Sequence, residues 1–267
     1  MAGSLGLAAV PKAAVITGAA RGIGAAIARR LAKDGFAVAL TDLPKMEAEA
    51  DGVVKEITSG GGKAIFLPHD VRNRAEHVGV VEKTQKAFGG LGVYVNNAGV
   101  APGRQLISID EEHVDFIYGV NIRGVMWGMQ AAVKGFIEQK TYGRIINASS
   151  IAGCQAFPDL GVYSSTKFAV RSLTQTAARE FAPFGVTVNA YGPGIVPTPM
   201  WNDIDSTITE EKGMKPGSEL EQSLRLSLLD RDETAEDIAG LVSFMASDDA
   251  SYMTGSLIVV DGGIVFH

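Results

Sequence analysis

The chain of 267 residues has a single cysteine, Cys154, so no intrachain disulfide can form and a reducing compartment is expected. Its four histidines are scattered, with no H-x-x-x-H or Cys/His spacing of the kind that a metal site needs, and no metal is expected. Basic residues are in deficit. With 24 Lys and Arg against 30 Asp and Glu, the net charge is -6, which leaves no excess to neutralise a phosphate backbone and argues against a nucleic-acid partner. Nowhere do about 18 consecutive apolar residues occur, so no membrane span is expected. The opening M-A-G-S-L-G-L-A-A-V-P is apolar, but no basic segment precedes it and it runs straight into A-A-V-I-T-G. The expectation is a cytoplasmic protein without a cleaved leader.

What is present is an ordinary globular composition, 46% hydrophobic, over a length that suits one large α/β domain spanning 1–267. Apolar runs that read as strands alternate with segments of helical periodicity. The runs are continuous, without in/out alternation, as expected of strands covered on both faces. They lie near Ala13 to Thr17, Ala37 to Thr41, Ala64 to Leu67, Gly92 to Val95, Arg144 to Ala148, Thr187 to Ala190 and Leu257 to Val260. This pattern predicts a doubly wound, Rossmann-type fold with a seven-stranded parallel sheet flanked by helices. Gly22 to Lys33 reads as a helix through Ile23, Ala26, Ile27 and Leu31, and Gly35 follows as its stop. Ser108 to Glu111 reads as a capping box opening a helix that continues through Asn121, and Thr234 to Asp237 as another. The polar stretch Asn202 to Ser227, with Gly213, Pro216 and Gly217, interrupts the rhythm. It reads as a lid over a substrate pocket, the alternative being a surface excursion.

The first strand runs into Thr17-Gly18-Ala19-Ala20-Arg21-Gly22-Ile23-Gly24 and a helix follows at once. Gly18 permits a tight turn, Gly22 lets the backbone approach a pyrophosphate, Gly24 lets helix and strand pack closely, and the helix N-terminus with Ile23 faces the anion. The second strand ends at Asp42, where a carboxylate accepts hydrogen bonds from the adenosine ribose and repels a 2′-phosphate. Arg21 pulls toward such a phosphate, but Asp42 is nearer the 2′ position, so NAD(H) is the expected cofactor. Asp70-Val71 and Asn97-Ala98-Gly99 follow the third and fourth strands, where loops form the ligand crevice. They are also ordinary turn residues.

Tyr163 and Lys167, four apart, share one face of a helix expected from Val162 to Glu180, and Ser150 lies thirteen residues before the tyrosine. The pair alone carries little weight. Taken together and in this order, T-G-A-A-R-G-I-G, N-N-A-G, the serine, Y-S-S-T-K and P-G-I-V-P-T-P resemble the short-chain dehydrogenase/reductase family over essentially the whole chain. The resemblance implies a catalytic tetrad of Asn121, Ser150, Tyr163 and Lys167. Tyr163 is then the proton-transfer group, Ser150 orients the carbonyl oxygen, Lys167 holds the ribose and lowers the tyrosine pKa together with the positive nicotinamide ring, and Asn121 anchors a relay water. Pro193-Gly194-Ile195-Val196-Pro197-Thr198 resembles the family's nicotinamide-positioning loop, with Val196 and Thr198 as carboxamide contacts. Within the family, the stretches around Tyr163, around Pro193 to Asp205 and at the C-terminal V-D-G-G-I-V-F look most like acetoin/diacetyl reductases, or 2,3-butanediol dehydrogenases. The implied substrate is a small neutral ketone or secondary alcohol. Its pocket wall is expected from Ile151, Phe157 and Trp201 around Ser150 and Tyr163, without Lys or Arg. A polyol or sugar dehydrogenase, a 3-oxoacyl thioester reductase and an NAD(H)-binding redox sensor stay open as alternatives. The resemblance also implies a homotetramer, consistent with the apolar tail Gly262 to Phe266.

Overall fold

The computed structural model describes residues 6–266. The first part of the opening segment read above, Met1 to Leu5, lies outside the described residues. The elements are β1 (Ala13–Thr17), α1 (Gly22–Lys33), β2 (Ala37–Asp42), α2 (Glu47–Ser59), β3 (Ala64–Pro68), α3 (Arg74–Phe88), β4 (Val93–Asn96), α4 (Glu111–Tyr118), α5 (Val125–Gln139), β5 (Gly143–Ala148), α6 (Gly161–Phe181), β6 (Val186–Pro193), α7 (Pro199–Lys212), α8 (Ser218–Leu224), α9 (Ala235–Ala246) and β7 (Leu257–Val260).

The strands form one seven-stranded parallel sheet in the order β3-β2-β1-β4-β5-β6-β7. Each strand's side chains point alternately to the two faces, and both faces are covered, which is why the strands read as unbroken apolar runs. Ala14, Ile16, Val38, Leu40 and Val93 pack against α1, α2 and α9. Val15, Ala39, Tyr94, Ile145 and Val188 pack against α3, α5 and α6. The chain reverses its winding between β1 and β4, so the carboxyl ends of these neighbours open a crevice where the loops diverge. Among the described residues no helix is long and apolar enough to cross a membrane.

Local differences from the sequence reading have physical causes. β6 runs on past Ala190, where the apolar run was read to end, through Tyr191, Gly192 and Pro193, which pair with Ile258, Val259 and Val260 of β7. Ser108 is not a helix cap. Its hydroxyl donates to Gln105 O and Glu211, and Asp110 caps α4 instead, accepting the His113 N–H at 2.8 Å. The helix does continue past Tyr118, but through a π turn, Gly119–Gly124, that carries Asn121. The box at Thr234 and Asp237 forms as read.

Asn202 to Ser227 is largely helical. α7 and α8 are joined through Asp205, whose buried carboxylate leaves α7 to accept the N–H groups of Gly217, Glu219 and Leu220 at 2.6, 2.9 and 3.0 Å. It caps α8 from another helix, which ties the two into one unit. Asp205→Ala should therefore loosen α8 locally, by about 1–2 kcal/mol. Hydrogen exchange would speed up in Ser218–Leu224 while that of α1 stays as in the parent; uniform acceleration would refute the local role.

Candidate active site

Six strand ends and the N-terminus of α1 meet at a cleft of about 890 Å³. Its floor is set by sterics. Gly18 turns at φ +64° with its α-carbon against Ala98, and a β-carbon on Gly24 would collide with Gly18 O and the Asn97 amide. Only glycine fits either place. Asn97 fastens this turn: its Nδ2 donates to Thr17 O and Gly18 O at 2.8 and 3.0 Å, and its Oδ1 accepts the Tyr191 hydroxyl at 2.8 Å. Thr17 Oγ1 in return accepts the N–H groups of Asn97 and Ala98, both at 3.0 Å. The Asn97 side chain is thus fully used inside the protein.

No side chain caps α1, so its first N–H groups are left for a ligand in the cleft. At the far end, Asp42 accepts the Ala20 N–H at 3.1 Å with one oxygen and the Leu43 N–H at 2.8 Å with the other. Asp70 forms a forked ion pair with Arg72, with contacts of 2.6 to 3.0 Å. Between them sits His69, which the sequence reading passed over. It is buried, its Nδ1 lies 3.0 Å from Thr41 Oγ1 and its Nε2 has no partner. Burial, with His77 packed edge-on at 4.3 Å, pushes its pKa down to about 3, so the ring is neutral. An uncapped helix start, a glycine turn without side chains and an unpartnered ring nitrogen together fit a dinucleotide. The residues expected to hold one, from Gly18, Arg21, Gly22, Ile23 and Gly24 through Asp42, Asp70, Val71, Ala98 and Gly99 to Pro193, Gly194, Val196 and Thr198, all line this cleft.

At the other end, Ser150, Tyr163 and Lys167 line the cleft together. Ser149 and Ser150 are separated by their bonds. The Ser149 hydroxyl donates to Lys167 O at 3.0 Å, whereas Ser150 Oγ accepts the Ala152 N–H at 3.0 Å and keeps its own hydrogen to give. The Lys167 ammonium donates to Ala148 O at 2.9 Å and lies 5.4 Å from the Tyr163 ring centre. Burial pushes the Tyr163 hydroxyl up to about 12, against the pull of Ser150, and pushes Lys167 down to about 8. The lowered tyrosine expected from the sequence rests on a positive charge at its hydroxyl, and these side chains alone do not put one there. Asn121 does not line the cleft. Its carboxamide accepts the Val100 N–H at 2.9 Å and donates to Val100 O at 2.9 Å and Thr166 Oγ1 at 3.1 Å, so both of its amide hydrogens are taken inside the protein.

Above Tyr163, Ala101, Leu160, Met200, Trp201, Ile204 and Ile208 form a separate apolar cluster, with Ile151 and Phe157 also on the cleft wall. The segment from Trp201 to Leu226 roofs this end. The expectation of a wall without cations needs correcting: Lys212 lines it. The helical path of α7 carries Lys212 back over the cleft, where it pairs with Asp159 at 2.5 Å and its charge is matched.

A doubly wound sheet, an open glycine turn at its switch point and a Tyr-x-x-x-Lys helix beside it are the architecture of a nicotinamide-dependent oxidoreductase. Comparison with known proteins narrows this. A family model described as enoyl-(acyl carrier protein) reductase matches residues 18–265. L-2,3-butanediol dehydrogenase of Corynebacterium glutamicum is 45% identical over 256 residues, 96% of this chain and 99% of that protein. Diacetyl reductase ((S)-acetoin forming) of Staphylococcus epidermidis is 43% identical over 257 residues, again 96% and 99%. The crystal structure of a dehydrogenase/reductase from Sinorhizobium meliloti 1021 matches with a TM-score of 0.83 at 32% identity, covering 94% of each chain. The chain belongs to the short-chain dehydrogenase/reductase family and is an oxidoreductase.

The Lys167 shift has a consequence for stability. Because the folded chain holds this proton less tightly than the unfolded chain, stability rises with pH between about 8 and the ordinary lysine value of 10.5. Lys167→Met removes a burden on the order of 3 kcal/mol and loses one hydrogen bond of about 1 kcal/mol. Urea unfolding should find the ligand-free variant more stable than the parent at pH 7, with the gain fading toward pH 10. A variant less stable at pH 7 would contradict the buried ammonium.

Proposed function

We propose that the protein is an NAD(H)-dependent reductase and dehydrogenase of small, uncharged vicinal ketones and alcohols such as diacetyl, acetoin and 2,3-butanediol. The observation that carries the reading is the apolar chamber of Ala101, Leu160, Met200, Trp201, Ile204 and Ile208 directly over Tyr163, where the cation at its rim among the described residues, Lys212, is already paired. A carboxylate or phosphate would find no free cation at that wall. The names of the butanediol dehydrogenase and diacetyl reductase relatives support the same substrate class. A 3-oxoacyl thioester reductase is the runner-up, disfavoured by the acidic balance of -6.

In this reading Asp42 favours NAD(H), and the uncapped start of α1 receives the pyrophosphate. When bound, NAD(H) supplies the hydride carrier. Ser150 gives its hydrogen to the substrate oxygen and fixes it beside Tyr163. In reduction, Tyr163 donates its proton to that oxygen. In oxidation, it takes the proton back as the carbinol C–H bond breaks. Lys167 brings positive charge beside the tyrosine and a donor for the ribose, and Asn121 holds the Val100 backbone at the cleft edge. The lid formed by α7 and α8 excludes water over the chamber. The protein works in the cytoplasm as a homotetramer. Support for assembly comes from apolar side chains left exposed, Leu226, Leu228, Leu229 and Phe266 near the C-terminus and Phe168 on α6.

Following cofactor absorbance with a small panel tests the assignment: kcat/KM should be higher for diacetyl than for an acetoacetyl thioester, and higher with NADH than with NADPH. The reverse order on either axis would displace the reading. Separately, Tyr163→Phe should bind NADH much as the parent does while losing at least about a hundredfold in kcat. A variant within tenfold of the parent would remove Tyr163 from proton transfer.

A further inference from the structure

Behind the Pro193 to Thr198 loop lies a second, small cavity of about 70 Å³, which four carboxylates line. Two are fully engaged. Asp237 pairs with Arg231 at 2.7 and 2.8 Å and also accepts the Thr234 N–H and hydroxyl. Asp261 accepts the N–H groups of Gly263 and Val265 at 2.9 and 2.8 Å. The third, Glu233, is different. Both of its oxygens are buried and neither has a hydrogen-bond partner.

Glu233 touches the loop itself. A β-carbon on Gly194 would lie 2.7 Å from Glu233 Oε2 and 2.8 Å from Asp261 Cα and Cβ, so the loop's second residue is wedged between the two acids. The Gly194 N–H is spent on Val260 O at 2.9 Å. A charged carboxylate here would have buried oxygens, at most a share of the Gly194 N–H already given to Val260 O, and Asp237 and Asp261 as neighbouring anions. Burial first, with Asp237 and Asp261 adding to it and the Gly194 N–H and Arg231 pulling back, pushes the Glu233 carboxyl up to about 8. The remaining charged group on the cavity wall is Asp232, a further anion.

We propose that Glu233 is a positioning residue for the Pro193 to Thr198 loop: in its neutral form it lets Gly194 seat against Asp261, and on ionisation it drives the loop off that seat. This rests on reading the loop as the nicotinamide contact. Ionisation leaves the chemistry at Tyr163 untouched and acts through cofactor binding. The effect belongs in the dissociation constant, and it grows as pH rises through the Glu233 titration.

Glu233→Gln, which copies the neutral acid, and Glu233→Ser, which removes it, test this in two measurements. In thermal melts without cofactor, the parent's folded pKa is raised above the ordinary 4.5, so the contribution of the neutral form is lost as pH rises from about 4.5 through about 8. Both variants should gain on the parent across that window. In NADH titrations, about a tenth of parent molecules keep the neutral acid at pH 9, so the dissociation constant should rise about tenfold more from pH 6.5 to pH 9 in the parent than in Glu233→Gln. Titration of Lys167 contributes equally to both. Parallel melts, or the same pH profile of NADH binding in parent and variants, would overturn the proposal alone. Absence of NADH binding by the parent at pH 6.5 would overturn the cofactor assignment and the proposal with it.

Discussion

The carboxamide of Asn97 joins three strands at the point where the sheet is least able to hold itself. Between β1 and β4 the connections leave toward opposite faces, so no helix packs across the gap at their carboxyl ends. Asn97 spans it with two bonds to the glycine turn after β1 and one from Tyr191 on β6. Thr17 answers from the other side. Each such bond contributes about 1 kcal/mol net, but leaving any member unpaired in this buried place costs more than the bond supplies, so the set stands or falls together. Gly24 belongs to it by omission, since a side chain there would occupy the Asn97 amide position. The cleft keeps its shape because this cluster is complete before any ligand arrives.

Around this rigid seam burial shifts several ionisable groups toward their neutral forms. Tyr163 is held toward its neutral form, Lys167 is discouraged from charge, His69 is neutral and Glu233 keeps a proton near neutral pH, and in each the leading cause is burial. At neutral pH the cost falls on Lys167 and Glu233, which water would leave charged, and a bound ligand of complementary charge or hydrogen bonding relieves it. His69, Tyr163 and Lys167 line the main cleft and Glu233 the smaller cavity beside it.

Much of the fold was legible because it depends on local pattern. Ala13 to Thr17 and Leu257 to Val260 form strands with the bounds read from apolar runs, and Gly22 to Lys33 forms the helix read from its period. The cleft-lining loops were legible because strand ends are fixed once the strands are. What escaped depends on contacts between distant segments. Asp110 and Ser108 are both good caps, and only Glu211, a hundred positions away, draws the serine hydroxyl elsewhere. Asn121 was read, by resemblance, as the anchor of a relay water, and what its carboxamide bonds to, Val100 and Thr166, was not legible. Lys212 reached the pocket wall because α7 runs unbroken from Pro199 to Lys212, in a stretch that reads by composition only as polar. Glu233 carried no signal beyond preceding a capping box.

The roof over Tyr163 is fastened at its edge and not at its centre. Thr207 accepts the Gly103 N–H at 2.9 Å, Glu211 accepts the Gln105 N–H and the Ser108 hydroxyl at 3.1 and 2.7 Å, and Lys212 pairs with Asp159. Most of these contacts are solvent-exposed, and exposed pairs contribute about 0–1 kcal/mol each. The underside, by contrast, is apolar: Met200, Trp201, Ile204 and Ile208 face the chamber. Lifting the roof breaks weak rim contacts but also wets this apolar face, at roughly 25 cal/mol per Å² exposed. A small uncharged ketone adds its own apolar surface to what closure keeps dry, whereas an anion would lose its hydration there and favour the open roof. In the proposed reading the same surface that covers the site selects for uncharged ligands, and Asp205 joins α8 to α7 within the segment that covers it.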